Sequence, residues 1–367
     1  MRIEATDTGL NSVYLFIAEL VGSPIGLTPE QKADFGKQAY EKRTLPILDL
    51  DSESDCGDLH ELIWLERLYD QIDEYQDNKI MRAIDPSVKP FAWSVPIELD
   101  ASASVLNYMG ALLGDKRLLT MTNSILDDGK LSDPWHIDGL ARKQVKTVAM
   151  RRVYGSTMTI QQIGKDQNVK YSVQDEHILA EELRNGALGL ANDLKDFIIT
   201  YVKPSEAMDV HIGDDNFTIF CNRFKRIGET TCKYDIYDTQ TKRIRRIHHT
   251  KTKTVADLDQ FRRYFVTLLI HNLDGQVASH VAGKVMEKYD WCIDIHDAFI
   301  VSPEAAVDVR KWYSEAINNI YNNRKSILQN YFRSIGIGAE AMQAWRELQS
   351  KVVSVDEPFQ CSPMVLK

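Results

Sequence analysis

Apolar side chains recur at helical spacing through most of this chain and form short strand-like runs in only a few stretches. Near the start, a helix is predicted from Pro29 toward Tyr40, because Thr28 can cap it and Gln31 completes a capping box. The acidic, turn-rich residues 49–58 predict a loop. Further amphipathic helices are predicted over residues 59–75, 140–163, 261–289 and from 303 to about 349. Core-facing candidates on the last helix are Trp312, Ile317, Ile320, Ile327, Leu328 and Phe332.

A half-buried strand is predicted where Val95, Ile97 and Leu99 alternate with more polar positions. The strand ends at Asp100, and an apolar helical face begins at Val105. Asp100 therefore lies between a strand and a helix. The alternative to a functional role is a helix cap, which is a common use of Asp before a helix.

A hairpin is predicted over residues 291–303, where two short apolar runs are separated only by His296 and Asp297. Both of its strands are expected to be buried. A carboxylate at such a corner is costly unless something positive lies against it. The alternative is an ordinary turn aspartate that accepts backbone amides, and this stretch taken alone favours that alternative.

A basic stripe is predicted on the helix over residues 140–163. Arg142, Lys146, Met150 and Tyr154 are spaced by four and therefore follow one face of a helix. The alternative is a solvated basic face, which usually pairs its charges with acids one turn away. Because no acid occurs from residue 142 to residue 164, the pattern favours ligand binding.

A second hairpin, rich in basic residues, is predicted within residues 210–253. Alternating residues 232–237, a polar corner at 239–242 and residues 243–247 form its strands and turn. Its basic residues are Lys242, Arg243, Arg245, Arg246, Lys251 and Lys253. Nucleic-acid binding and a charged, solvated strand edge explain this string equally well.

Composition limits the class of protein. The chain has 367 residues, 44% of them hydrophobic and 26% charged, as in ordinary globular proteins. The net charge of −9 disfavours a wholly nucleic-acid-coated surface. The five cysteines have no metal-ligand spacing and predict free thiols in a reducing cytoplasm. No apolar run is long enough to span a membrane, and the polar start is unlike a signal peptide.

Four features in a fixed order resemble the signature of the bacteriophage-type single-subunit RNA polymerases, which are related to family A DNA polymerases. The features are Asp100 at a strand end, the Arg142/Lys146/Met150/Tyr154-Gly155 helix, the pattern His271-x-x-Asp274-Gly275 and the His296-Asp297 corner. The resemblance covers roughly residues 90–310. It is most like the palm-and-fingers subunit of the two-subunit phage enzymes.

The resemblance implies an α+β fold, the palm and fingers of a right-hand polymerase, with an antiparallel palm sheet and helical fingers. A thumb and an N-terminal domain would be absent. The implied organisation is a helical N-terminal region over 1–90, palm over 91–130, and fingers over 131–260 with the basic hairpin at 230–253. The second part of the palm follows over 261–310, and C-terminal helices and a tail over 311–367.

The resemblance also implies template-directed ribonucleotide addition with two Mg²⁺ ions. Asp100, Asp297 and the Ala101 carbonyl would bind the metals, because hard oxygen ligands suit magnesium. Lys146 would act in catalysis and, with Arg142, bind the triphosphate, whose charge grows as the bond breaks. The remaining substrate-binding candidates are Met150, Tyr154, Gly155 and His271, with His271 sensing the 2′-hydroxyl.

Several residues favour RNA synthesis over DNA synthesis. The related DNA polymerases carry an aromatic residue at the position of Met150 and a Glu shortly after the first catalytic Asp, whereas residues 101–105 contain no Glu. They also carry Glu after the corner, where Ala298 stands here. Two other interpretations stay open: a family A DNA polymerase or primase fragment, and a degenerate polymerase-derived module that only binds nucleic acid.

The chain also departs from the family pattern. Ala101 replaces a usual Gly, Thr147 replaces a common basic residue, and the segment between Asp100 and Arg142 is short. The tail has no aromatic end, which puts a catalytic role for it in doubt. No Asp-x-x-Gly-Arg element precedes Asp100. We therefore expect a second subunit carrying the thumb and N-terminal region. The other expected partners are a DNA template, an RNA transcript, ribonucleoside triphosphates and an accessory DNA-binding protein, in the cytoplasm of an infected bacterium.

Overall fold

Helices joined by small antiparallel sheets make up the computed structural model, which describes residues 3–45, 55–238 and 243–366. The helices are α1 (Asp7–Leu20), α2 (Pro29–Glu41), α3 (Asp55–Ile84), α4 (Ser104–Leu113), α5 (Lys116–Met121), α6 (Arg142–Val153), α7 (Ile160–Asp166), α8 (Val173–Asn185), α9 (Ala187–Tyr201), α10 (Leu258–Tyr289), α11 (Ala306–Ser334) and α12 (Met342–Ser350). The strands are β1 (Ile97–Asp100), β2 (Ala207–Ile212), β3 (Asp215–Phe220), β4 (Lys225–Asp238), β5 (Arg243–Ala256), β6 (Ile293–Ile295) and β7 (Ala298–Val301). The expected α+β class is confirmed.

A three-stranded antiparallel sheet joins the two segments that carry the predicted aspartates. Its strand order is β1-β7-β6, so the late hairpin pairs with the early strand. Asp100 lies opposite Ala298, and Leu99 lies opposite Phe299. Leu99 and Phe299 are fully buried, and they fix the register by facing the core.

The first helices follow the predicted pattern with one difference. The capping box at the start of α2 is present, with Thr28 and Gln31 bonding reciprocally. The predicted loop over 49–58 is wrong in its last part, because α3 already begins at Asp55. The earlier part of that loop lies outside the described residues. Leu65 and Leu68 of α3 are fully buried, as the helical spacing predicts.

Two predicted helices are each divided into shorter pieces. The helix expected over 140–163 ends at Val153, and Gly155 follows with φ of +89°, a backbone conformation that favours glycine. The helix expected to reach about 349 ends at Ser334, and Gly336 has φ of +75°. In both cases a left-handed residue just after the helix reverses the chain, and the apolar spacing then resumes in a new helix.

The core lies around α4, which is buried along almost its whole length and packs against α10 and α11. On α11, Ile317, Ile320, Ile327 and Leu328 are buried, which confirms them as core residues. Trp312 and Phe332 are partly buried and pack against the same cluster. No helix among the described residues is long and apolar enough to cross a membrane.

The outer strand β6 corrects one expectation. Its hairpin with β7 is confirmed, but Ile293 and Ile295 are each 52% exposed, so only β7 is buried. Trp291 and Cys292 precede the strand and are not part of it. A short apolar run is typical of a buried strand, but β6 lies at the edge of the sheet and pairs with β7 alone.

Candidate active site

The end of β1 presents Asp100 on the open face of the sheet. Ile97 and Leu99 point into the core, so Glu98 and Asp100 share the opposite face. The helix that follows is capped at Ala103, without a side-chain hydrogen bond. Asp100 is therefore not the N-cap residue of that helix.

The corner between β6 and β7 places Asp297 beside Asp100. Asp297 immediately precedes Ala298, the residue that pairs with Asp100. His296 adopts φ of +58°, a strained position that most hairpins give to Gly or Asn. Within the described part of the chain, no backbone amide donates to the Asp297 carboxylate. The alternative of an ordinary turn aspartate thus loses its support.

A cleft of about 320 Å³ brings the predicted catalytic residues together. Five segments line it: the end of α1, the end of β1 with the following loop, the loop at 134–135, one face of α6, and the corner before β7. Predicted site residues in the lining are Asp100, Ala101, Arg142, Lys146, Met150 and Asp297. Lining residues that were not predicted from the sequence are Phe16, Glu19, Glu98, Ser102, Ala103, Ser104, Pro134 and Trp135.

Helix α6 supplies the basic wall of this cleft. Val145, Val148, Ala149 and Val153 are buried on its inner side, which turns the stripe of Arg142, Lys146 and Met150 toward the cleft. The stripe is therefore confirmed as one helix face for these three residues, whereas Tyr154 is the C-cap residue just after α6.

Arg142 does have an acidic partner. Its Nε donates to Asp133 Oδ2 at 2.9 Å, and the Asp133 side chain is almost fully buried. Asp133 also accepts the backbone N–H of Trp135, which lines the cleft. The sequence pattern excluded acids one turn away on the same helix, but this partner lies in the preceding loop. The alternative of a basic face with paired charges is therefore correct for Arg142, although its partner is not one turn away on the helix.

Tyr154 and His271 do not line the cleft, but their ring centroids lie 5.7 Å apart, and His271 lines a separate cavity with Asp215. Burial raises the pKa of Tyr154 to about 12, and the charges of Asp274 and Asp297 add to this effect. Gly155 follows in its left-handed conformation, and a Cβ there would come within 3.3 Å of the Arg263 side chain. Two of the predicted substrate-binding residues are thus adjacent, although they are distant in sequence.

Asp274 belongs to the pattern that starts at His271, but the sequence alone assigned it no role. Burial raises its pKa; the Tyr108 hydroxyl, which donates to it at 2.9 Å, opposes that effect. Further contributions come from the charges of Asp297, His271 and His296, which places Asp274 close to the corner. The sequence could have indicated that Asp274 lies near the site, because it falls one turn after His271 on the same helix.

The tail lies against the loop after Asp100. Leu366 forms a β-bridge with Ala101, and the Val365 carbonyl accepts the N–H of Ser102. The buried Arg310 donates its Nε to the Leu366 carbonyl at 3.2 Å. The tail is therefore a neighbour of the cleft, which its sequence did not indicate.

The donor set fits magnesium. Asp100 and Asp297 come from adjoining elements and line one cleft, and Mg²⁺ is commonly held by one or two carboxylates with water. The Ala101 carbonyl accepts the N–H of Ala103 at 2.7 Å and keeps a second lone pair. No group of three or more His, Cys, Asp or Glu side chains is arranged for a metal among the residues described.

The basic hairpin lies apart from the cleft lining. Strands β4 and β5 pair along their whole length, which confirms the predicted hairpin and extends it to Lys225 and Ala256. Arg246, Lys251 and Lys253 are exposed. Arg243 and Arg245 lie on β5, where their backbone pairing alone is described. Lys242 lies outside the described residues.

Neither the known protein-family models nor the curated proteins contain a match to this chain. The resemblance to polymerases therefore depends on the residues of the sequence and on the way the fold groups them.

Proposed function

We propose that the protein is the palm-and-fingers subunit of a DNA-directed RNA polymerase and catalyses template-directed addition of ribonucleotides. One observation carries this proposal. Asp100 and Asp297 are 197 positions apart by their numbers, yet they line one cleft together with the Arg142, Lys146 and Met150 face of α6. Carboxylates for a metal opposite cations for a polyphosphate are the groups that nucleotidyl transfer needs.

Each group has a role in this reaction. Asp100 and Asp297, with the Ala101 carbonyl, hold magnesium, which supplies Lewis-acid activation of the attacking 3′-hydroxyl and charge neutralisation on the leaving pyrophosphate. Lys146 is exposed on the cleft wall and binds the triphosphate, stabilising the charge that grows on its oxygens. Arg142 approaches the phosphates from a position fixed by Asp133.

The sugar is read by the adjacent aromatic pair. The rings of Tyr154 and His271 lie 5.7 Å apart, and Met150 lines the cleft one helical turn before Tyr154. His271 senses the 2′-hydroxyl, and the left-handed Gly155 keeps the backbone close to Arg263. The absence of a glutamate in residues 101–105 leaves space for a ribose.

In this proposal the sheet β1-β7-β6 is the palm, and the helices from α6 to α9 with the β4–β5 hairpin belong to the fingers. The exposed cations of the hairpin contact the DNA template, and the RNA transcript leaves from the palm. An accessory DNA-binding protein assists initiation, in the cytoplasm of an infected bacterium.

A second polymerase subunit completes the enzyme in this proposal. Support comes from the last turns of α3, where Ile80, Met81 and Ile84 are 60%, 52% and 75% exposed. A contiguous group of exposed apolar side chains is typical of a protein interface. The thumb and N-terminal region are expected on that partner.

The test is extension of a labelled RNA primer on a DNA template with Mg²⁺ and either ribo- or deoxynucleoside triphosphates. We expect ribonucleotide addition only when the full chain is supplied with its partner subunit, and loss of that addition in Lys146→Ala. Lys143→Ala is the matched control, because Lys143 is exposed on α6 and does not line the cleft. Preferential deoxynucleotide addition would favour the DNA polymerase alternative. Tight DNA binding without any addition would favour the non-catalytic module.

A further inference from the structure

Two buried tyrosine hydroxyls form a hydrogen-bonded line with the carboxylate of Asp274. The Tyr108 hydroxyl donates to Asp274 Oδ1 at 2.9 Å, and the Tyr313 hydroxyl lies 3.3 Å from that of Tyr108. Both tyrosines are essentially inaccessible, at 0% and 1% exposure. Neither hydroxyl has a role in the reaction proposed above.

Burying these groups has a cost that Phe would avoid. A buried hydroxyl or carboxylate lowers stability unless it is hydrogen-bonded. Here the carboxylate of Asp274 gains one of its bonds from Tyr108, while burial raises its pKa. A polar line kept inside an otherwise apolar core indicates a role beyond packing.

The Tyr108–Asp274 bond joins the elements on which two parts of the site are built. Tyr108 lies in the second turn of α4, directly after the loop that follows Asp100. Asp274 lies one turn after His271 on α10 and on the same side of that helix. This hydrogen bond thus adds a directional link between α10, which carries His271, and α4, which follows the Asp100 loop and also packs against α10.

Tyr313 extends the line to the third part of the site. Its ring packs edge-on against Phe299 at 6.2 Å, and Phe299 lies in β7, two residues after Asp297. Helix α4, which follows the Asp100 loop, α10, which carries His271, and β7, which follows Asp297, therefore all contact this buried pair of tyrosines.

From this geometry we infer that Asp274, held by Tyr108, is a positioning residue that sets His271 and its neighbour Tyr154 at the distance from Asp100 needed to select a ribose. The inference rests on the proposed function. Asp274 acts through His271 and does not touch the substrate. Loss of the Tyr108 bond lets α10 shift, and sugar selection falls more than the rate of nucleotide addition.

The first experiment measures the ratio of kcat/KM for ribo- and deoxynucleotides in the full chain with its partner subunit. Tyr108→Phe keeps the ring and removes the donor, so we expect the preference for ribonucleotides to fall about tenfold, the loss typical of one hydrogen bond to a charged group. Asp274→Asn keeps an acceptor for Tyr108 but loses the charge, and we expect a smaller fall of about threefold.

Tyr331→Phe is the matched control. Tyr331 is a fully buried tyrosine of α11 whose hydroxyl also bonds to α10, at the Phe265 carbonyl, away from the cleft. A merely structural role would make Tyr108→Phe and Tyr331→Phe equal in sugar preference, and that result would overturn the inference. If Tyr108→Phe does not fold, the sugar preference of Asp274→Asn is compared with that of Tyr331→Phe instead. Equal preferences would then overturn the inference.

A second readout separates this inference from the proposed function. In protein with ¹³C-labelled histidine, the ring resonance of His271, assigned by its loss in His271→Gln, should move in Tyr108→Phe and Asp274→Asn but not in Tyr331→Phe. Failure of the wild-type chain to add ribonucleotides in the presence of its partner subunit would contradict the proposed function. If the His271 resonance moves in neither Tyr108→Phe nor Asp274→Asn, that result would contradict the positioning role, whatever the activity.

Discussion

The cleft and the β4–β5 hairpin both gather charged residues, but they are built in opposite ways. In the cleft, the charged residues lie on or next to elements with a buried face, as Val145 and Val148 bury α6 behind Lys146 and Phe299 buries β7 after Asp297. On the hairpin, Lys251, Thr252 and Lys253 are exposed in succession, so both faces of β5 meet solvent there. The base of the hairpin is held by Phe224, which packs on Phe261 and Tyr264.

This difference teaches what each region can do. Charges on packed elements have fixed mutual positions, which catalysis requires. Charges on a solvated hairpin can follow the backbone of a nucleic acid, but they interact weakly and additively with it. Substitutions in the cleft should therefore abolish a reaction, and substitutions on the hairpin should only weaken an affinity.

The largest effect is expected from the two aspartates of the cleft. Asp100→Asn or Asp297→Asn should abolish nucleotide addition, because metal stabilisation of the transition state is worth several kcal/mol. Primer extension measures the loss, and the melting temperature should stay close to that of the wild type. Asp294→Asn is the control, since Asp294 is exposed on β6 and does not line the cleft. Near-normal extension by Asp100→Asn or Asp297→Asn would show that the cleft is not the catalytic site, and the contrast with the hairpin would no longer hold.

A smaller effect is expected at Tyr154, which does not line the cleft. Tyr154→Phe removes one hydroxyl beside His271 and should keep packing and the rate of ribonucleotide addition. If that hydroxyl contacts the 2′-position, deoxynucleotides should be accepted about tenfold more readily, the value of one hydrogen bond. A competition assay with both sugars measures this. Unchanged discrimination would assign sugar selection to His271 alone.

The hairpin should show a graded loss. Replacing Arg243, Arg245 and Arg246 by Gln should weaken DNA binding and flatten its dependence on salt, by up to about 0.9 in the log–log slope for each DNA phosphate that is no longer neutralised. Addition to a pre-annealed primer should change much less. Thr250→Ala and Thr252→Ala on the same strand serve as neutral controls. If the salt dependence of DNA binding equals that of the wild type, these three arginines only protect a strand edge.

The smallest effect concerns two thiols outside the cleft lining, Cys361 in the tail and Cys292 just before β6. Burial raises the pKa of Cys361 to about 12 and that of Cys292 to about 11. Cys361 is buried, whereas Cys292 is half-buried. Because the thiolate is the reactive form and must also be reached by the reagent, alkylation at pH 8 should modify Cys292 before Cys361. Peptide mass spectrometry gives the order, and faster modification of Cys361 would show that the tail opens from the cleft.

The sequence determined most of the local structure. The cap at Thr28, the length of α10 and the His296-Asp297 corner followed from spacing and turn chemistry, because these depend on neighbouring residues. The same rules failed at an edge strand, whose exposure depends on its place in the sheet, and at a helix end that is followed by the left-handed Gly155. The edge strand β6 is exposed although its residues are apolar, and the predicted helix after Arg142 stops at Val153.

Residue types and their order along the chain also determined which side chains are candidates for chemistry. Only the tertiary structure decided which of them meet. The register of β1 on β7 brought Asp100 to Asp297, and packing of α6 turned Lys146 toward both. The partnership of Arg142 with Asp133 and the buried bond from Tyr108 to Asp274 had no signal in spacing. Such contacts join residues distant in sequence, and their free energy depends on burial, which only the folded chain creates.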